Sequence, residues 1–269
     1  MTKQTKLNIS EAFFTIQGEG LRTGVPSVFI RTNGCNLACH FKNSICDTSY
    51  TSINPEKKKL KTIDTVYKEI KPLLDNQVGD IVITGGEPMM QQDGLVELIR
   101  KIDQNKRYIY TVETNGTIPI TSELNNIVDL WSISPKLSSS CHFEGSKLSE
   151  ERQEHHKNTR INFDALYSYV VTGRSVQFKF VWSGPECEEE IIKLFDDLYA
   201  WVTANKTTAE YEKFENNFRR YVHIMLMPEG QTEEQIKKTS QEAVNCCMKH
   251  GWRFTDRLHI RIWGTKRGV

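Results

Sequence analysis

Two short stretches rich in β-branched and aromatic residues, 11–14 and 27–32, open the chain, separated by the glycine turns Gly18-Glu19-Gly20 and Gly24-Val25-Pro26. They predict an opening strand pair, or a strand followed by a loop. From Cys35 to about Asn54 neither the helical nor the strand period survives, because Asn, Cys, Ser, Asp and Thr dominate; a long functional loop is expected there. Helical spacing then returns at Ile63, Val66, Tyr67, Ile70 and Leu74, with Thr62 or Asp64 placed to cap the helix. Residues 80–84 form a short apolar run ending at Gly85-Gly86, the signature of a buried strand feeding a glycine loop.

The alternation continues. Leu95, Leu98, Ile99 and Ile102 make a helical stripe, residues 108–112 predict a strand closed by Glu113-Thr114-Asn115-Gly116, and residues 128–133 another closed by Ser134-Pro135-Lys136. Strands follow at 176–182, 221–227 (before Pro228-Glu229-Gly230) and 258–263, with helices over 187–201 and about 233–250. Strand and helix in alternation define an α/β fold built on a mostly parallel sheet or barrel, whose sites gather at strand carboxyl ends. The polar stretch 138–162, holding Cys141, His142, His155 and His156, reads as a partly helical surface insertion. Adjacent histidines diverge on either a strand or a helix, which argues against a metal site there. Cys246-Cys247-Met248 reads as helix core, and lysines 57, 58, 59 and 61 as a solvated stretch.

At 269 residues the chain fits one domain, 1–269. Thirty-five basic and thirty-four acidic side chains leave a net charge of +1, so no global field draws it to nucleic acid or to an anionic membrane. No leader pattern or long apolar run is present, so a soluble, cytoplasmic protein is expected. Seven cysteines without an export signal favour thiol ligands or buried thiols over disulfides.

Three of those cysteines, Cys35, Cys39 and Cys46, fall in the long loop. Soft thiolates on a loop suit a [4Fe-4S] cluster, and three ligands leave one iron open to chelate the amino and carboxylate groups of S-adenosylmethionine. Reductive cleavage of the sulfonium there gives a 5′-deoxyadenosyl radical. The competing readings are buried thiols or a zinc site with His40 as fourth ligand. The strand-end run Gly85-Gly86-Glu87-Pro88, whose backbone can approach a ligand closely, favours the cluster.

Taken in order, residues 11–20 (EAFFTIQGEG), 29–39 (FIRTNGCNLAC), Cys46-Asp47-Thr48, Gly85-Gly86-Glu87-Pro88, Glu113-Thr114-Asn115-Gly116, Ser134-Pro135-Lys136 and the ending from Leu258-His259 through 263–269 (WGTKRGV) resemble the 7-carboxy-7-deazaguanine synthases of the radical S-adenosylmethionine (SAM) superfamily. One departure stands out. The superfamily usually spaces its ligands as three residues then two, whereas six residues, 40–45, separate Cys39 from Cys46 here, with Phe41-Lys42-Asn43-Ser44 as the extra segment.

The resemblance implies a partial (β/α) barrel and a lyase of 7-deazapurine (queuosine) biosynthesis. Its reaction would be the radical ring contraction of 6-carboxy-5,6,7,8-tetrahydropterin to 7-carboxy-7-deazaguanine with loss of ammonia. It implies a [4Fe-4S] cluster on Cys35, Cys39 and Cys46, and Mg2+ on Thr48. S-adenosylmethionine would meet Gly85, Gly86 and Glu87 at its amino group, Thr114 and Asn115 at its ribose or carboxylate, and Ser134 and Lys136 from the next strand. The pterin would contact Gln17, Glu19, Arg31, Asp47, His259 and the carboxylate of Val269. An electron donor such as flavodoxin or ferredoxin and a homodimer are implied as well. A glycyl-radical activase and a non-enzymatic zinc-binding interaction protein stand as alternatives.

Overall fold

A computed structural model describes residues 5–55, 60–104 and 108–269. The lysines at 57, 58 and 59 lie outside the described residues. Strands β1 (Lys6–Ile16) and β2 (Pro26–Thr32) pair antiparallel, with a bulge between Ile9 and Glu11, and β3 (Leu60–Thr62) adds antiparallel to β1. From β2 onward every neighbour is parallel: β4 (Asp80–Gly85), β5 (Ile109–Thr114), β6 (Leu130–Ile133), β7 (Ser175–Trp182), β8 (Val222–Pro228) and β9 (Arg253–Phe254). The order β3-β1-β2-β4-β5-β6-β7-β8-β9 has two free ends, so the barrel is partial, as expected.

Helices α1 (Ile63–Leu74), α2 (Gln92–Ile102), α3 (Ser122–Asn125), α4 (Glu150–Thr159), α5 (Phe163–Val170), α6 (Glu186–Asn205), α7 (Thr208–Tyr221) and α8 (Glu233–His250) fill the crossovers. Thr62 caps α1 by accepting from the Thr65 amide, and the apolar stripe Ile63, Val66 and Ile70 is buried. The same holds for Leu95, Leu98, Ile99 and Ile102 of α2. Between such stripes β4 is buried along Asp80–Thr84, which accounts for its unbroken apolar run. No helix among the described residues is long and apolar enough to cross a membrane.

Several elements differ from the sequence reading, which did not predict β3, α3 or α5. The residues expected as a closing strand form helix α9 (Leu258–Trp263), and the last strand is β9 instead. The alternation Leu-His-Ile-Arg-Ile-Trp imitates the two-residue period of a strand, but the Leu258 amide donates to the Gly18 carbonyl at 2.9 Å and the chain coils there. Helix α7 lacked an apolar signal because Phe214 is its one buried residue; its start is written instead in the capping box of Thr207 and Glu210.

Candidate active site

The carboxyl ends of the strands surround a cavity of about 540 Å³. Strand alternation selects what faces it: on β7, Lys179 and Val181 look inward while Phe178 and Phe180 are buried in the core. The site residues expected from sequence converge on this cavity from β1, β2, β4, β5, β6, the cysteine loop, α9 and the chain end, with the exception of Glu87.

The lengthened cysteine loop closes on itself. The Phe41 amide donates to Ser44 O at 2.8 Å, and His40 and Ile45 form an antiparallel bridge, so residues 41–44 make the turn of a small hairpin. At its base the Cys46 amide donates to Cys39 O at 3.1 Å, which returns Cys46 to the cavity beside Cys35 and Cys39. His40 does not line the cavity; its Nδ1 faces Ala38 O at 3.3 Å and its ring meets Phe143 edge-on. Glu229, just past β8, accepts from the Asn43 amide and the Ser44 hydroxyl, and Gln231 donates to Ile45 O at 2.8 Å. Burial raises the Glu229 carboxyl, against the pull of those two donors.

From the other side the polar stretch 138–162 braces the loop. His156 of α4 is fully buried. Its Nδ1 accepts from the Ala38 amide at 3.1 Å and its Nε2 meets Ser140 Oγ at 3.0 Å. Ser140 already donates its hydroxyl hydrogen to Leu137 O, so the network assigns the proton of a neutral imidazole to Nε2. Burial, with Lys136 and Arg160 nearby, pushes His156 down to about 4. The segment is helical as expected, but this part of it is core.

The donor set suits an iron–sulfur cluster: Cys35, Cys39 and Cys46 all line the cavity and His40 does not. Among the described residues, Glu188, Cys246 and His250 form a group of metal-capable side chains within 4.8 Å of one another. Burial pushes the Cys35 thiol up to about 12 and lifts Cys39 well above its ordinary value, while Lys136 opposes both shifts. Metal binding must therefore displace their protons. The remote Glu188 group is an ion-pair cluster: Lys249 Nζ and His250 Nε2 already share one oxygen of Glu188.

Gly85 and Gly86 let the cysteine loop pack against the end of β4. A Cβ on Gly86 would stand 2.0 Å from Gly34 O, and one on Gly85, at φ +130°, 2.2 Å from Thr32 O. Glu87 is turned from the cavity and fully buried, accepting from the amides of Met89 and Asn115 and from Thr114 Oγ1. Burial raises its carboxyl and these donors counter the rise. Asn115 Nδ2 donates to Asn36 Oδ1 at 2.9 Å and faces Cys35 Sγ at 3.9 Å, while its Oδ1 accepts from Thr117. Ser134 and Lys136 pair with each other at the cavity wall.

Part of the cavity lining is charged. Glu19 Oε2 pairs with Lys179, and Glu19 Oε1 with Arg257 Nε at 2.9 Å. Burial alone would raise the Glu19 carboxyl, but Lys179, Arg257 and His259 together hold it below the usual carboxylate range. Arg257 also pairs with Asp47 and donates to Gly230 O, tying the Gly18–Gly20 turn, the β8 end and the cysteine loop together. Asp47 is lowered by Arg257 against the effect of burial. Its Oδ1 accepts from the Thr48 hydroxyl at 3.4 Å. Arg31 Nε and the Tyr50 hydroxyl meet at Glu11 Oε1, whose second oxygen takes Arg267 Nε, so the last residues lie along the cavity.

Lys179 and Arg257 were not singled out from sequence, and Glu113 and Glu229 appeared there only within strand-end motifs, with no role assigned. Lys179 had a signal: a lysine at an inward position of an aromatic strand is buried only with a partner. Arg257 had none, because its three partners come from distant segments.

Residues 29–136 match the Radical SAM superfamily, the class that a three-cysteine loop at the strand ends of a partial barrel defines. The chain is 35% identical to the 7-carboxy-7-deazaguanine synthase of Halobacterium salinarum over 259 residues, covering 96% of this chain and 90% of that protein. It is 28% identical to the enzyme of that name from Pyrobaculum aerophilum over 272 residues, the whole of both chains. Its fold is similar to that of crystalline QueE from Escherichia coli, with a TM-score of 0.59 at 22% identity over 94% of this chain and 95% of that one. The chain belongs to the 7-carboxy-7-deazaguanine synthase family and is an enzyme of the radical SAM lyase kind. Membership implies a [4Fe-4S] cluster and S-adenosylmethionine.

Proposed function

We propose that the protein contracts the ring of 6-carboxy-5,6,7,8-tetrahydropterin to 7-carboxy-7-deazaguanine with loss of ammonia. The observation that carries this reading is one cavity lined both by a three-thiol loop and by a buried carboxylate, Glu19, held ionised by Lys179, Arg257 and His259. A glycyl-radical activase would need the first and has no use for the second.

When bound, the cluster and S-adenosylmethionine supply a 5′-deoxyadenosyl radical. Cys35, Cys39 and Cys46 would hold the cluster. Gly85 and Gly86 offer backbone, and Ser134 and Lys136 polar side chains, to S-adenosylmethionine. Thr114 and Asn115 would act there chiefly through their backbone, since their side chains are engaged. Glu87 supports that wall from behind by fixing the Thr114 hydroxyl and the Asn115 amide.

The pterin is rich in N–H donors on its aminopyrimidine edge, and Gln17 and Glu19 offer acceptors to it. Glu19, held ionised, accepts and does not serve as a base. Arg31, kept in place by Glu11, is suited to the substrate carboxylate, and His259 stands 4.0 Å from Glu19 on the same side. Thr48, with Asp47 beside it, offers hard oxygens suited to Mg2+, and the substrate carboxylate would complete that site. The Val269 carboxylate lines the same cavity and would contact the pterin. A flavodoxin- or ferredoxin-type donor and a homodimer complete the reading.

The test is anaerobic turnover of 6-carboxytetrahydropterin with reconstituted protein, S-adenosylmethionine, reductant and Mg2+. Formation of 7-carboxy-7-deazaguanine is expected. Deoxyadenosine without it would leave the radical class standing and remove the substrate.

A further inference from the structure

Lys179 is buried on the cavity floor, flanked in sequence by Phe178 and Phe180, with its side chain 7% exposed. An ammonium there keeps its charge only with partners, and it has two: Glu19 Oε2, and Glu113 Oε1 at 4.0 Å. Glu113 is fixed in turn by the Thr84 hydroxyl at 2.8 Å and by Gln17 Nε2 at 3.2 Å. The two residues offered to the pterin's donor edge, Gln17 and Glu19, are thus joined through Lys179 and Glu113.

We propose that Lys179 is a positioning residue for the substrate: it pairs with both Glu19 and Glu113 and so presents Gln17 and Glu19 as one fixed array of acceptors. This inference rests on the functional reading above. The charged and titratable groups around Glu19 are Lys179 from β7, Arg257 beyond β9, His259 from α9 and Asp47 from the cysteine loop, with Glu113 of β5 reached through Lys179. Among them Lys179 pairs with both glutamates. Without it, the two carboxylates would share a buried gap with no cation between them, and like charges so placed cause one to take up a proton. A protonated Glu19 would present a donor where the substrate also presents donors. Arg257 alone cannot prevent this, because it does not reach Glu113 and its other groups are committed to Asp47 and Gly230.

The experiment measures binding without turnover: anaerobic calorimetry of 6-carboxytetrahydropterin on cluster-loaded protein with S-adenosylmethionine and Mg2+ but no reductant, from about pH 5 to about pH 8. Lys179→Met, checked for iron content and circular dichroism, is expected to bind at least about tenfold more weakly at neutral pH. It should also gain an acid limb, losing about tenfold per pH unit, that the wild type lacks. Lys179→Arg should restore the flat profile, and adding Glu113→Gln to Lys179→Met should move the limb to lower pH by removing the repulsion. Lys179→Gln serves if methionine prevents folding. A Lys179 variant whose profile runs parallel to the wild type overturns this inference while leaving the substrate assignment intact. Failure of the wild type itself to bind the pterin overturns both.

Discussion

The Cys46 amide donates to the Cys39 carbonyl at 3.1 Å, across the base of a hairpin that contains all six residues between these cysteines. The extra segment is therefore taken up within the hairpin, whose base stays hydrogen-bonded. His40, the one imidazole inside the hairpin, is directed to Ala38 O and Phe143.

Replacing Cys46 by alanine should accordingly abolish cluster assembly, whereas His40→Ala should leave about four irons per chain and the brown chromophore. Iron analysis of anaerobically reconstituted protein decides between them. Iron retained in Cys46→Ala and lost in His40→Ala would reverse the ligand assignment.

Glu87 gathers three donors, two backbone amides and the Thr114 hydroxyl, in a fully buried place. Truncation to alanine leaves these donors unpaired at roughly 1–3 kcal/mol each. Glu87→Ala should unfold at clearly lower temperature and bind S-adenosylmethionine more weakly, because the strand-end wall loses its support. Glu87→Gln keeps an acceptor oxygen and should lose less on both counts. Equal losses in the two variants would point to direct contact between the carboxylate and the cofactor.

The order of strands and helices was legible because β4, α1 and α2 each show an undiluted period, and the strand-end motifs located the cavity. What escaped notice depended on contacts distant in sequence. The hairpin at 41–44 is held by Glu229 and Gln231, nearly two hundred residues away. The histidines of α4 showed no pattern because His156 alone turns inward while His155 reaches Asn36 O from the exposed side. In α9 a six-residue window satisfied the strand period by chance, and the deciding contact, with Gly18, is local in space only.

The buried position of His156 has a pH consequence. With a folded value near 4 against the ordinary histidine value of about 6.5, the imidazole takes up a proton more readily in the unfolded chain than in the folded one. Its neutral form therefore supports the fold fully above about pH 6.5, and that support is lost as pH falls towards 4. Melting temperatures of the loaded protein should decline across this window. His156→Gln, which retains an acceptor for Ala38 and a donor for Ser140 but cannot titrate, should show a shallower decline. An unchanged slope would assign the acid sensitivity elsewhere.

Gly18 and His259 make the last prediction. A Cβ on Gly18 would stand 2.2 Å from His259 Nδ1 and 2.9 Å from its Cγ, so Gly18→Ala must displace the imidazole or the turn. The turn resists, because the Gly18 carbonyl receives the Leu258 amide and the neighbouring Glu19 is pinned by Lys179 and Arg257. The imidazole gives way more readily, since α9 is a short helix with Ile260 as its buried anchor. Overpacking of this kind costs about 1–3 kcal/mol. Here it falls on a residue proposed to touch substrate, so kcat/KM for the pterin should drop by roughly ten- to a hundredfold. Iron content and S-adenosylmethionine binding should not change, because the cysteine loop and the Gly85-Gly86 wall are built from other contacts. His259→Ala combined with Gly18→Ala removes the two shortest contacts and leaves the two Cβ atoms 3.1 Å apart, so the double variant should lose little more than His259→Ala alone. Additive losses would show that Gly18 acts through the Gln17–Glu19 turn and not through the imidazole.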